Sequence, residues 1–82
     1  MSQTTKNEAV RIEGNQVELV VHYCIANTES DSNRFSEIIG GRYDTTKDEA
    51  IAAVVGSAKA WATGMRADGH DVCVWDDAGN FY

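Results

Sequence analysis

Apolar and polar residues alternate from Glu8 to Glu13, with Val10 and Ile12 on one side and Arg11 and Glu13 on the other. A period of two over that length predicts a half-buried strand. Gly14-Asn15 follows at once, a pair suited to closing a tight hairpin. Gln16–Ala26 alternates more strongly: Val17, Leu19, Val21, Tyr23 and Ile25 face one way, and Glu18, Val20, His22 and Cys24 the other. This run is expected to be the central strand. Asn27–Asn33 has no apolar residue and reads as a loop. Arg34–Asp44 holds Phe35, Ile38, Ile39 and Tyr43 around Gly40-Gly41. It predicts a third strand bent or bulged at the glycines, with a short helical turn over Phe35–Ile39 as the alternative.

Thr46-Lys47-Asp48-Glu49 then matches the capping box, in which the Thr hydroxyl and the Glu carboxylate satisfy each other's backbone donors. Ile51, Val54, Val55, Ala58, Trp61, Ala62 and Met65 recur at three- and four-residue spacing, the stripe of an amphipathic helix. Gly69 is placed to end that helix in the left-handed conformation. Gly56 and Gly64 each weaken a helix interior by about 1 kcal/mol relative to Ala; close packing of the helix backbone on a sheet is the expected reason for them. Asp71–Asp76 reads as a last strand, with Val72 and Val74 on one face and Cys73 and Trp75 on the other. Asp76–Asn80 is turn chemistry, and Phe81-Tyr82 follows it. The order β-β-β-α-β predicts a two-layer α+β sandwich, an antiparallel sheet of three to four strands covered on one face by one helix.

At 82 residues, the chain reads as one domain spanning 1–82, with a polar, flexible lead-in over 1–7. A chain this short buries roughly 60–65% of its unfolded surface, so its core is small. No apolar run approaches the roughly 20 residues of a membrane span. The start lacks the basic and apolar regions of a secretory signal, so a cytoplasmic location with reduced thiols is expected.

Charge changes the picture most. The net charge is −6, and after Arg66 the chain carries Asp68, Asp71, Asp76 and Asp77 with no Lys or Arg. Such a surface repels nucleic acid and anionic membrane and attracts basic partners. Glu29 and Asp31 add charge in the loop after the second strand, and Asp44, Asp48 and Glu49 at the helix start. A run of acids is ordinarily a solvated face that keeps a domain soluble. The functional reading is a recognition surface in which carboxylates stand in for phosphates against an arginine- or lysine-rich groove. On it, the partner-binding residues are Glu29, Asp31, Asp68, Asp71, Asp76 and Asp77, with Trp75 or Tyr82 as an aromatic anchor.

The face away from the helix carries Val20, His22, Cys24, Cys73 and Trp75. A wet sheet face tolerates a few apolar residues without explanation. It also suits a homodimer interface, because Trp is enriched at binding hot spots. His22, Cys24 and Cys73 lack the local ligand pairs of a zinc site, so no metal or other cofactor is expected. His22 and Cys24 share a face in the manner of a thiol and its base, but no third orienting group is evident. Gly40-Gly41-Arg42 lacks phosphate-loop spacing, and Asp76–Asn80 lacks the ligand pattern of a calcium loop.

In length, acidity, element order and want of a catalytic signature, the chain resembles the small acidic α+β proteins that phages encode to inhibit host defence, anti-CRISPR proteins among them. The resemblance spans the whole chain and is one of format, without a shared motif. It implies a non-enzymatic inhibitor that binds a basic protein or nucleoprotein complex in the host cytoplasm and blocks nucleic-acid entry. A small structural or regulatory homodimer, joined through the face around Val20 and Trp75, is the alternative expectation.

Overall fold

A computed structural model of the chain describes residues 9–82. The expected lead-in over 1–7, and Glu8 of the first predicted strand, lie outside the described residues. Five elements follow in the expected order: β1 (Arg11–Glu13), β2 (Gln16–Ile25), β3 (Asp31–Ile38), α1 (Lys47–Ala67) and β4 (Val72–Asp76). All strand pairs are antiparallel. β2 is the hub. It pairs with β3 along one edge, while β1 and β4 share the other, β1 beside Gln16–Glu18 and β4 beside Val21–Ile25.

The hairpin forms where expected: Gly14 takes φ 60°, the left-handed region open to glycine, and Glu13 faces Gln16 across a two-residue turn. Val17, Leu19 and Val21 are fully buried on the inner face of β2, and Val72 and Val74 join them from β4. α1 covers this face with Ala50, Val54, Ala58 and Ala62, a buried stripe at four-residue spacing. Ile51, Val55, Trp61 and Met65 flank the stripe half-buried. Trp61 meets the edge of Tyr23 at 4.9 Å between ring centroids and lies beside Phe35.

The capping box is present. The Glu49 N–H donates to Thr46 Oγ1, and the Thr46 N–H to Glu49 Oε1. At the other end Gly69 takes φ 93°, and the His70 and Gly69 N–H groups bond the Met65 and Arg66 carbonyls. This is the paired closure of a Schellman motif.

Three expectations need correcting. The first strand, expected half-buried over Glu8–Glu13, is Arg11–Glu13 among the described residues and all three are exposed, because α1 packs on β2, β3 and β4 and not on β1. The third strand runs from Asp31 to Ile38 rather than over Arg34–Asp44, so Asp31-Ser32-Asn33 are strand and Gly40-Gly41 belong to the connection into α1. These polar residues extend because β2 continues far enough to pair with them, up to Tyr23 opposite Asp31. Gly56 and Gly64 do not mark a close approach of helix to sheet. A Cβ at either position would meet nothing within 4 Å, and the approach is made by the alanines instead.

The outer edge of β3 is closed by its own side chains. The Ile39 N–H bonds the Asn15 carbonyl, which sets the phase of the ladder. The N–H groups of Ser32, Arg34, Ser36 and Ile38 therefore point away from β2. Asp31 Oδ1 accepts from Ser32 N, Asn33 Oδ1 from Arg34 N, and Glu37 Oε1 from Ile38 N. Three of the four outward donors are thus satisfied by the preceding residue, which blunts the edge against strand addition.

Candidate functional site: an acidic end and an open sheet face

Topology gathers four of the expected acids. β2 ends at Ile25 opposite Val72, where β4 begins, and the Ala26 N–H bonds the Asp71 carbonyl. The β2–β3 turn and the α1–β4 turn therefore lie at one end of the molecule. Glu29 comes from the first and Asp31 from the start of β3 beside it, Asp68 and Asp71 come from the second, and all four are exposed. Among the described residues none of the four has a Lys or Arg within ion-pair distance; the Lys/Arg pair found is Arg34–Glu18, at 3.2 Å. α1 also ends here, and the carbonyl end of a helix carries partial negative charge. Arg66 is the base in the last turn, and its guanidinium is turned to the carbonyls of Val72 (3.2 Å) and Tyr82 (2.6 Å). Arg11, Arg42 and Lys47 lie toward the opposite end, with the hairpin and the helix start.

Asp76 and Tyr82, expected at the partner surface, are placed otherwise. Asp76 is 2% exposed. Its Oδ1 accepts from the N–H groups of Ala78 and Asn80, and its Oδ2 from the Asn80 amide (3.0 Å) and the Tyr82 hydroxyl (2.6 Å). Burial raises the pKa of this carboxyl, but the Tyr82 hydroxyl, the Asn80 side chain and the two N–H groups outweigh it. They hold the group below its ordinary value. Tyr82 is half-buried against the core and pairs its N–H with the Val74 carbonyl. Both residues spend these groups on holding the last turn and tail against the sheet.

Asp77 belongs to the open face. It accepts from His22 Nε2 at 2.7 Å, and His22 Nδ1 lies 2.9 Å from Ser32 Oγ. A carboxylate only accepts, so in the neutral ring Nε2 carries the proton and Nδ1 accepts from the Ser32 hydroxyl. The connectivity is that of a Ser-His-Asp chain. A nucleophile also needs donors for the developing oxyanion, and the Ser32 N–H is occupied by Asp31. These contacts tie β3, β2 and the turn after β4 together on one surface.

Val20, His22, Cys24, Cys73 and Trp75 share this surface, with His22 opposite Trp75 and Cys24 opposite Cys73. Both cysteines are free thiols. Two further apolar residues, not assigned to this face from the sequence, are exposed on it, Phe81 at the Trp75 end and Ile38 at the far end beyond Glu18 and Ser36. Phe81 bridges to Trp75 and is 75% exposed, and Ile38, opposite Gln16, is 42% exposed. The signal for Phe81 was available: a tight turn over Asp76–Asn80 returns the next residue alongside Trp75. No group of three or more His, Cys, Asp or Glu side chains among the described residues is arranged to hold a metal ion. An open concavity of about 340 Å³ lies beside the hairpin, lined by Arg11, Ile12, Glu13, Gln16 and Glu18, away from both the acidic end and the cysteines. No helix among the described residues is long and apolar enough to cross a membrane.

Searches against protein-family models, curated proteins and solved structures find no match to this chain.

Proposed function

We propose that the protein is a non-enzymatic binding protein whose acidic end engages a basic, nucleic-acid-binding surface of a partner protein or nucleoprotein complex and blocks it. This is the mode of action implied by its resemblance to phage-encoded anti-CRISPR inhibitors, and it places the encounter in the cytoplasm of the host cell. The observation that carries the reading is the grouping of Glu29, Asp31, Asp68 and Asp71 on two adjoining turns and the first residue of β3, with no Lys or Arg in ion-pair distance among the described residues and at the negative end of α1. Carboxylates so placed steer a basic partner by long-range attraction and then accept forked contacts from arginine. Trp75, half-buried on the adjoining face, supplies an apolar anchor.

An arginine-rich peptide carrying a fluorescent oligonucleotide provides the test. The protein should displace the oligonucleotide, with an association rate that falls as salt rises. Replacing Glu29, Asp31, Asp68 and Asp71 by their amides should slow association about tenfold or more. The same number of amides at Glu13, Asp44, Asp48 and Glu49 should leave it nearly unchanged. Equal loss from both sets would show a net-charge effect and remove the case for a site.

Phe81 beside Trp75 favours a second reading, a homodimer joined face to face. The closed edge of β3 disfavours edge-to-edge pairing, so the open face would carry the contact. A mass of two chains by light scattering, reduced to one by Trp75→Ala, would establish it; a single-chain mass across concentrations would dismiss it.

A further inference from the structure

We propose that Cys24 and Cys73 form an oxidisable dithiol, a modification site that a low-molecular-weight disulfide such as glutathione disulfide converts into an intramolecular staple between β2 and β4. The two residues are direct cross-strand partners. The Ala26 N–H to Asp71 carbonyl bond makes Ile25–Val72 a non-hydrogen-bonded pair, so Cys24–Cys73 is the adjacent hydrogen-bonded one. Such pairs hold their Cα atoms about 5.5 Å apart, inside the roughly 4.4–6.8 Å that a disulfide spans. Both side chains stand on the open face, which no helix or strand among the described residues covers.

The two thiols differ in a way that divides the work. Cys73 is exposed and meets a reagent from solvent. Cys24 is half-buried, with Sγ 3.5 Å from the Thr28 carbonyl and 3.8 Å from that of Ile25. It is parked toward the β2–β3 turn and reaches Cys73 by rotating about its Cα–Cβ bond. In the first step the Cys73 thiolate attacks one sulfur of glutathione disulfide. The S–S bond of the reagent breaks, one glutathione thiolate leaves, and a mixed disulfide forms on Cys73. In the second, the Cys24 thiolate attacks Cys73 Sγ and expels the second glutathione thiolate. The pair loses two electrons to the reagent, and the two thiol protons end on the two glutathione molecules.

The ladder also makes the staple reversible. Cβ atoms directly opposite in a sheet are about 4.5–5.5 Å apart, closest in non-hydrogen-bonded pairs, whereas a disulfide draws them to about 3.8 Å. Closing it pulls β4 toward β2 against the ladder spacing, and strained, exposed disulfides are the readily reduced ones.

Treating the folded chain with glutathione disulfide, followed by intact mass and thiol counting, tests this. The expected product is a monomer lighter by two hydrogens, with both thiols lost together, outnumbering the glutathione adduct by about ten to one. Excess reduced glutathione should reopen it. Cys24→Ser should stop at a single glutathione adduct on Cys73, and circular dichroism of the variant confirms that it is folded. A wild-type chain that accumulates the same adduct without closing, or that becomes a covalent dimer through Cys73, overturns the proposal. So does a closure rate no faster in the folded chain than in urea.

Discussion

Asp76 shows how much one side chain decides in a small domain. Four donors converge on a carboxylate that is almost fully buried, and all of them belong to the turn and tail that follow it. Asp76→Asn keeps the shape but sets an amide donor against those donors; we expect a loss of about 2–4 kcal/mol in urea unfolding. Tyr82→Phe removes one hydroxyl and should cost about 1–2 kcal/mol. Because the folded carboxyl sits below its ordinary value, its contribution is present above the unfolded value of about 3.9 and is lost as pH falls through the lower folded one. The stability gap between wild type and Asp76→Asn should therefore narrow as unfolding is measured at successively lower pH in that acid range. A gap independent of pH would mean that the charge is not what matters. In the sequence Asp76 was one more member of an acidic run. Its burial depends on Tyr82 folding back onto it, a contact that no pattern of spacing announces.

Among the elements, the helix was the most legible and the third strand the least. The capping box, the three- and four-residue stripe and Gly69 are local signals; the box and Gly69 are realised by contacts within a turn, and the stripe by packing on the sheet. β3 reads poorly because six of its eight residues are polar, and Asp31 and Asn33 spend their side chains on the strand's own outward N–H groups. Whether such a segment extends depends on β2 being long enough to receive it, which is not a property of the segment. The same holds for β4: its place beside β1 on a shared edge of β2 is a long-range outcome. Two consequences are testable. Gly56→Ala and Gly64→Ala meet no obstacle on an exposed helix surface and should each stabilise the protein by about 0.5–1 kcal/mol. Replacing Asp31, Asn33 and Glu37 together by alanine reopens the edge of β3. Association that grows with concentration is expected in sedimentation for that variant, beyond any seen for the parent chain; unchanged sedimentation would show that the edge was never at risk.

On the scale of the whole molecule, the acids are sorted by topology rather than by their order in the chain. Residues far apart in sequence meet at one end because β2 and β4 run antiparallel and α1 returns to the same place. Like charges held together repel, so folding works against itself there at low ionic strength. Adding salt should raise the urea midpoint modestly, and the amide variant of Glu29, Asp31, Asp68 and Asp71 should lose most of that response. A variant as salt-sensitive as the parent would place the repulsion elsewhere.

The two tryptophans stand on opposite sides of one sheet, Trp61 in the seam with Tyr23 and Phe35, and Trp75 on the bare surface with its ring centroid 6.0 Å from that of His22. Each is therefore a separate optical reporter. With Trp61 replaced by Phe, the emission of Trp75 follows whatever comes to rest on that surface, blue-shifting when solvent is excluded. With Trp75 replaced, Trp61 follows only whether helix and sheet stay together.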